Sequence, residues 1–286
     1  MKKLKFLTIN LGCKVNAYEL DCVKEELISY GFIEDKKHPD IIVINTCAVT
    51  HTAEKKSFQK FHSFRSKFPK SLIVIMGCAT EAKKNEEDFS LADIVVGTNS
   101  KNKVVSYILD FLKIKKRKID FKKQISTYQN FKFSPYRTRH RSYVKIQDGC
   151  NNFCSYCLIP FLRRGLQSRN KEEIFKEICV LEKSGTKEVV LAGIHVGKYG
   201  YEKKDNYHFY NLIRDLLEKF PNVNFRLSSL EVSEVDESFF KLFKTYKNLM
   251  PYLHIPLQSG CDKTLKEIPA FSKKVPEKDD RQDKDR

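Results

Sequence analysis

The chain has 286 residues, 41% of them hydrophobic, enough to bury a sizeable core in two domains and to exclude an intrinsically disordered protein. Lys and Arg outnumber Asp and Glu by 53 to 36, and the resulting charge of +17 favours a polyanionic partner, nucleic acid or an acidic membrane face, without choosing between them. Nine cysteines, an odd number beside an ample core, do not read as a disulfide framework; they fit a reducing compartment, the cytoplasm, where thiols hold metal or stay free.

Residues 4–9 read as a strand. The opening from Met1 to Cys13 could pass for a lipoprotein signal, but Lys5 and Asn10 interrupt its apolar run. No apolar run approaches the ~20 residues a membrane helix needs. An amphipathic helix over 17–30, ending at Gly31, is followed by a fully apolar strand over 41–45 and a polar helix over 52–67. The strand Leu72-Ile73-Val74-Ile75-Met76, a short strand over 93–96 and a helix over about 101–113 complete the first half. Short apolar strands alternating with helices predict an open parallel sheet covered on both faces.

A cysteine follows each of the first three strands: Gly12-Cys13, Thr46-Cys47 and Gly77-Cys78. The carboxyl ends of an open parallel sheet share one edge, where ligands bind, so Cys13, Cys47 and Cys78 are expected to converge on a three-thiol metal or cluster site. Gly12 and Gly77 would let the backbone approach a bulky inorganic ligand. Cys22, Cys179 and Cys261 have no thiol partner at useful spacing and read as structural.

From 101 to 142 the chain carries thirteen Lys or Arg against Asp110 and Asp120, with Tyr128, Phe131, Phe133 and Tyr136 interleaved. Cations neutralise phosphates and aromatics stack on unpaired bases. The stretch therefore reads either as part of an RNA-binding tract or as a solvated connector, and in both cases as a domain boundary.

The strand Tyr143-Val144-Lys145-Ile146 leads to a loop with three thiols in eight residues, Cys150, Cys154 and Cys157. Such soft donors suit an iron-sulfur cluster or zinc; a redox pair of Cys154 and Cys157 would leave Cys150 idle. Three cysteines on a four-iron cluster leave one iron open, and an open position marks a catalytic site. Helices over 171–183, 208–219 and 236–246 then alternate with strands over 188–193, 223–227 and 252–255. Four strands with intervening helices fit a β/α barrel or an arc of one, with function at the carboxyl ends. Polar groups fall there: Gly193-Ile194-His195, Ser228-Ser229-Leu230-Glu231 and Pro256-Leu257-Gln258-Ser259-Gly260. His195 and His254 read as hydrogen-bonded structural histidines.

The spacing C-x3-C-x2-C, with Tyr156 before the last cysteine, resembles the signature of the radical S-adenosylmethionine (SAM) enzymes. With the first cysteine set added, residues 4 to 268 resemble the methylthiotransferases. The likeness rests on Leu11-Gly12-Cys13-Lys14-Val15-Asn16-Ala17-Tyr18-Glu19, Asn45-Thr46-Cys47, Met76-Gly77-Cys78, Gln147-Asp148-Gly149-Cys150, Gly193-Ile194-His195-Val196-Gly197, Arg226-Leu227-Ser228-Ser229-Leu230-Glu231 and His254-Ile255-Pro256-Leu257-Gln258-Ser259-Gly260. The residues around the first cysteine and the Gly-Ile-His stretch are similar to the branch acting on N6-threonylcarbamoyladenosine in tRNA.

That resemblance implies an α/β fold: an N-terminal open parallel, Rossmann- or flavodoxin-like sheet domain over 1–114, a basic linker over 115–141 and a partial radical SAM β/α barrel over 142–268. It implies two [4Fe-4S] clusters, a catalytic one on Cys150, Cys154 and Cys157 and an auxiliary one on Cys13, Cys47 and Cys78. The reaction it implies has two parts, methylation by SAM of a sulfur at the auxiliary cluster and radical activation of C2 of the adenine beside the anticodon. Tyr156 should lie by the adenine of SAM, with Gly193, Ser228, Glu231 and Gln258 as further contacts. The expected partners are the tRNA anticodon stem-loop and a low-potential electron donor, for a monomer with no membrane partner. Two departures stand out. Arg163-Arg164-Gly165 has one arginine more than the family's Arg-Gly pair, and past Ile268 the pattern gives way to a charged tail over 269–286, expected to be disordered and to mark a truncated frame. A non-catalytic RNA-binding fragment, or the isopentenyladenosine or ribosomal-protein branch, are the alternative readings.

Overall fold

Strands covered on both faces read as near-continuous apolar runs, and two segments are buried at every residue: β3 (Ile41–Thr46), polar only at its final Asn45 and Thr46, and β4 (Leu72–Gly77). The computed structural model describes residues 3–83, 89–121, 128–133 and 140–267. β1 (Lys5–Asn10), β2 (Ile33–Glu34), β3, β4, β5 (Ile94–Val96) and β6 (Lys118–Asp120) form one all-parallel sheet in the order β2-β1-β3-β4-β5-β6. Alternate residues supply its two faces. Phe6, Val43, Val74 and Val96 pack with Leu20, Leu27, Val105 and Ile108 of α1 (Lys14–Ser29) and α4 (Val104–Ile114), while Ile42, Ile44, Ile73 and Ile75 pack against Phe61 of α2 (His51–Lys67). The polar α2 is held at its start by Thr50, whose side chain accepts from Ala53 N–H, with Glu54 in the first turn and Arg65 and Lys67 in the last. α3 (Cys78–Ala82) follows β4 directly.

The second half continues with β7 (Arg141–Lys145), β8 (Gln147–Asp148), α5 (Ile159–Leu162), β9 (Gln167–Ser168), α6 (Lys171–Lys183), β10 (Glu188–Ala192), α7 (Phe209–Lys219), β11 (Asn224–Leu227), α8 (Glu237–Thr245) and α9 (Asp262–Glu267). β7, β10 and β11 form a parallel sheet in the order β11-β10-β7, and β8 pairs antiparallel with β9. Val144, Val189, Leu191, Phe225 and Leu227 share one core with Ile174, Ile178, Leu212, Leu216 and Leu242 of the covering helices.

Three expectations change. β6 lies inside the stretch read as a linker and extends the first sheet beyond residue 114. The expected strand over 252–255 is reduced to a single bridge, Ser229 with His254, preceded by another between Phe225 and Leu249; Pro251 and Pro256 flank the segment and offer no N–H to a ladder. The aromatics read as base-stacking groups are engaged internally. Phe131 is buried edge-on to Tyr18, the Tyr128 hydroxyl donates to Lys145 O, and Phe133 lies under the Arg169 guanidinium. Tyr136, Arg137 and Arg139, and the tail over 269–286, lie outside the described residues.

The two halves meet through buried charge. Glu19, on α1, accepts from Lys101 (2.5 Å), Lys145 (3.0 Å) and Arg163 (3.1 Å), and Asp148 accepts from Lys145 (2.9 Å) and Arg163 (2.8 Å). All five residues are buried. A second buried link joins α1 to α6, where Glu177 accepts from the Tyr18 hydroxyl and from Arg169.

Removing Glu19 strands three buried cations around one remaining carboxylate, so Glu19→Ala is expected to destabilise the fold by ~3–5 kcal/mol, measured as a lowered urea midpoint. Acid should act on the same joint. Burial pushes both carboxyls up, but Arg163 and the lysines outweigh it, lowering Asp148 to about 2 and Glu19 well below the usual range. Groups depressed on folding contribute stability above their unfolded pKa, about 4, and lose it as pH falls through the folded value. Unfolding monitored by circular dichroism is therefore expected to steepen below pH 4, and less so in Glu19→Gln.

Candidate active site

The loop that presents Cys150 is shaped by its glycine. Gly149 has φ +71°, and a Cβ there would sit 1.8 Å from Gly165 O, so only glycine lets the loop pass against the segment after α5. Cys150 N–H donates to Arg163 O at 3.3 Å. Gln147 fixes the loop from below: its amide donates to the carbonyls of Asp148 (2.8 Å) and Gly149 (2.7 Å), and its Oε1 accepts from His195 N–H (2.8 Å) at the end of β10. Phe153 adopts a left-handed φ of +48° and packs edge-on against Phe161.

Cys150, Cys154 and Cys157 open together on a cavity of ≈160 Å³, with Tyr156, His195 and Glu231 in its wall. Of the residues expected to contact SAM, Tyr156 and Glu231 line this space. Ser228 lies just before the lining residues Ser229 to Glu231, buried, with its Oγ lacking any hydrogen-bond partner. Gly193 immediately precedes the lining pair Ile194 and His195, and a Cβ on it would crowd Val196 Cγ1 at 2.8 Å. Gln258 is exposed and outside the lining.

His195, expected to be structural, faces the site. Its Nδ1 is 3.7 Å from Cys150 Sγ and 3.3 Å from the Asn152 amide, and its Nε2 is 2.6 Å from Glu234 Oε1. Burial disfavours the imidazolium, but Cys150 and Glu234 outweigh it and push the pKa up to about 9. His254 is exposed and meets Ser229 and Leu230 only through its backbone. The sequence reading named Gln147 and Arg163 only as motif residues and gave neither them nor Asn152 a role; for His195 the Gly-Ile-His step at a strand end was the available signal.

The other thiol set stands on the adjacent strands β1, β3 and β4, whose register pairs Asn10 with Asn45 and Thr46 with Gly77. Cys13 is the exposed N-cap of α1, Cys47 is buried one residue past β3, and Cys78 is the buried first residue of α3. Asn16 ties them to the sheet. Its Oδ1 is 3.8 Å from Cys13 Sγ, its amide donates to Thr46 O (2.8 Å), and its own carbonyl accepts from Asn45 (2.9 Å). The glycines serve neighbours in the protein: a Cβ on Gly12 would strike the Asn16 amide, and one on Gly77 would lie 2.5 Å from Thr46 O.

All nine cysteines are free thiols. Burial raises the pKa of Cys47, with Cys78 and Cys13 adding to the effect, and burial likewise raises Cys154 and Cys157. Among the described residues no three Cys, His, Asp or Glu close on a single point as one metal ion demands. The loop thiols instead border a space with room for a multi-atom group, and the unpaired Ser228 Oγ beside it fits a polar ligand. The donor chemistry at both places, three thiols each, fits an iron-sulfur cluster.

Two family models match, the uncharacterized protein family UPF0004 over residues 5–97 and the radical SAM superfamily over 144–275. The threonylcarbamoyladenosine tRNA methylthiotransferase MtaB of Bacillus subtilis is 36% identical over 265 residues, 90% of this chain and 58% of that protein. Its namesake in Aquifex aeolicus is 30% identical over 260 residues, 89% of this chain and 63% of that protein. A tRNA-2-methylthio-N(6)-dimethylallyladenosine synthase from Natranaerobius thermophilus is 30% identical over 277 residues, 92% of this chain and 60% of that protein. The chain thus spans about three fifths of the length of the curated relatives it matches. Among solved structures, the radical S-adenosylmethionine methyltransferase TsrM from Kitasatospora setae superposes with a TM-score of 0.62 at 13% identity, covering 95% of this chain and 62% of that one, a likeness of fold. No helix among the described residues is long and apolar enough to cross a membrane. The two models match in order over the two thiol sets, a UPF0004 region followed by a radical SAM region, and the chain is similar over about nine tenths of its length to tRNA methylthiotransferases.

Proposed function

We propose that this chain methylthiolates C2 of N6-threonylcarbamoyladenosine beside the anticodon of tRNA, in a reducing cytoplasm and with electrons from a low-potential donor. The observation that carries the reading is the presence of two three-thiol sets, one on a cavity at the carboxyl ends of β7, β10 and β11, the other at the carboxyl ends of β1, β3 and β4. Cys150, Cys154 and Cys157 would hold one [4Fe-4S] cluster and Cys13, Cys47 and Cys78 the other. SAM and the clusters, when bound, supply the radical and the methylated sulfur that side-chain acids and bases cannot.

The chain's own residues position and enclose. Gln147 and Gly149 fix the loop so that its thiols share one cavity. Tyr156 offers a ring for the adenine of SAM, while Ser228 Oγ and the Glu231 carboxylate offer polar contacts; Gly193 leaves room for Gln147 and Val196 beside the lining, and Gln258 is the more remote candidate. The charge of +17 suits a tRNA anticodon stem-loop, bound by a monomer with no membrane partner.

Anaerobic reconstitution is expected to give about eight irons per chain, two four-iron clusters. Cys150→Ala should abolish reductive SAM cleavage, whereas Cys13→Ala should spare it; a wild-type count near four removes the two-cluster reading. Gly149→Ala should lose the loop's iron alone, halving the count. For SAM itself, Ser228→Ala and Glu231→Gln each delete about one hydrogen bond, worth ~1 kcal/mol or about fivefold in affinity. Equilibrium dialysis of the reconstituted protein reads this, and unchanged binding in both takes these residues out of the site.

A further inference from the structure

Arg163, the first arginine of the Arg163-Arg164-Gly165 run, reaches both thiol sets. Its main chain belongs to the loop site, because Arg163 O accepts from Cys150 N–H and a Cβ on Gly149 would lie 2.9 Å from it. The preceding Leu162 belongs to the other half. It packs with Ala48, Cys78 and Ala79, and its carbonyl accepts from Thr98 Oγ1 at 2.6 Å. The guanidinium, 3% exposed, donates through Nη1 to Asp148 (2.8 and 2.9 Å) and Glu19 (3.1 Å) and through Nη2 to Asn16 Oδ1 (2.8 Å). That same Asn16 oxygen is 3.8 Å from Cys13 Sγ. Arg163 is also close enough to Cys47 and Cys78 to interact electrostatically with each.

Within the buried network three cations, Arg163, Lys101 and Lys145, face two carboxylates, Glu19 and Asp148. Among these described residues one positive charge is left over, and Arg163 is the cation that reaches toward the thiols, through Asn16 at Cys13 and electrostatically at Cys47 and Cys78. A cluster's reduction potential follows the charge and hydrogen bonds around it, and a cation in a poorly solvated interior favours the more negative, reduced form.

We infer that Arg163 is a positioning residue that joins the two sites: its backbone seats Cys150, while its guanidinium anchors the Asn16 end of the Cys13, Cys47 and Cys78 site and raises the reduction potential of the group held there. This rests on the two-cluster reading proposed above. The test uses the full chain with Cys150, Cys154 and Cys157 replaced by alanine, so that only the auxiliary site loads. Iron content and a redox titration followed by electron paramagnetic resonance are the readouts. Arg163→Met should shift the midpoint to lower potential. Arg163→Lys keeps the charge but loses the fork that spans Glu19, Asp148 and Asn16, and should shift it less. An unmoved midpoint in Arg163→Met, or equal shifts in both variants, overturns the inference. If Arg163→Met does not fold, Lys101→Met decides in its place: it takes the surplus charge to zero from the far side of Glu19, and an unmoved midpoint there overturns the inference as well. Failure of the parent to bind about four irons instead refutes the two-cluster reading.

Discussion

The Glu19 carboxylate accepts from Lys101, Lys145 and Arg163 with all four residues buried, and the placement of both thiol sets depends on that one contact. α1 begins at Cys13 and carries Asn16 and Glu19 on the turns that follow. Holding Glu19 therefore holds the first auxiliary cysteine. Lys145 ends β7 and Asp148 ends β8, two residues before Cys150, so the same bonds hold the loop. Two halves with separate hydrophobic cores are thereby registered to each other through directional bonds at the point where their chemistry stands.

An apolar joint would have served stability as well or better. Ionised groups lose several kcal/mol of hydration each on burial, and well-packed hydrophobic residues often replace such clusters without loss. What apolar contact does not supply is direction. The small patch formed by Tyr18, Cys22, Phe131 and Tyr143 could tolerate α1 rolling or sliding, whereas a forked guanidinium shared among Glu19, Asp148 and Asn16 cannot. The Tyr18, Glu177 and Arg169 contacts fix the same helix a second time, on α6. Direction is what these buried charges add to the joint.

The elements themselves were legible because their pattern repeats. Apolar runs such as Ile41 to Ile44 have one stable environment, and a cysteine after each of three such runs is a positional signal that survives ignorance of side-chain packing. Lone charges carry no such signal: nothing in the sequence pairs Glu19 with Lys101 and Lys145, and only tertiary geometry makes them partners. The same blindness explains the misreading of Tyr128 and Phe131. Lysine-rich sequence around aromatics suggests a surface for bases, yet Lys145 Nζ lies 5.0 Å above the Tyr128 ring and 5.3 Å above that of Phe131, so the rings cover a buried cation. Composition reports what a segment could bind, and the fold had already used it. His195 is hydrogen-bonded as expected, to Glu234, and its place at a strand end also sets it against Cys150.

The surplus positive charge of the network also bears on how the auxiliary site fills. Burial raises the pKa of Cys47, so at neutral pH it is an uncharged thiol, and a metal must displace its proton before it becomes a ligand. Until then the network's extra cation has no anion from Cys47 to face. A cluster held by these three thiolates, as proposed, would bring negative charge to the side of the network where Arg163 stands, through Asn16 at Cys13 and toward Cys47 and Cys78. Loading that site would then balance a buried charge as well as satisfy the metal. The joint between the halves and the site at the strand ends then become one electrostatic unit, in which strain on either is felt by the other.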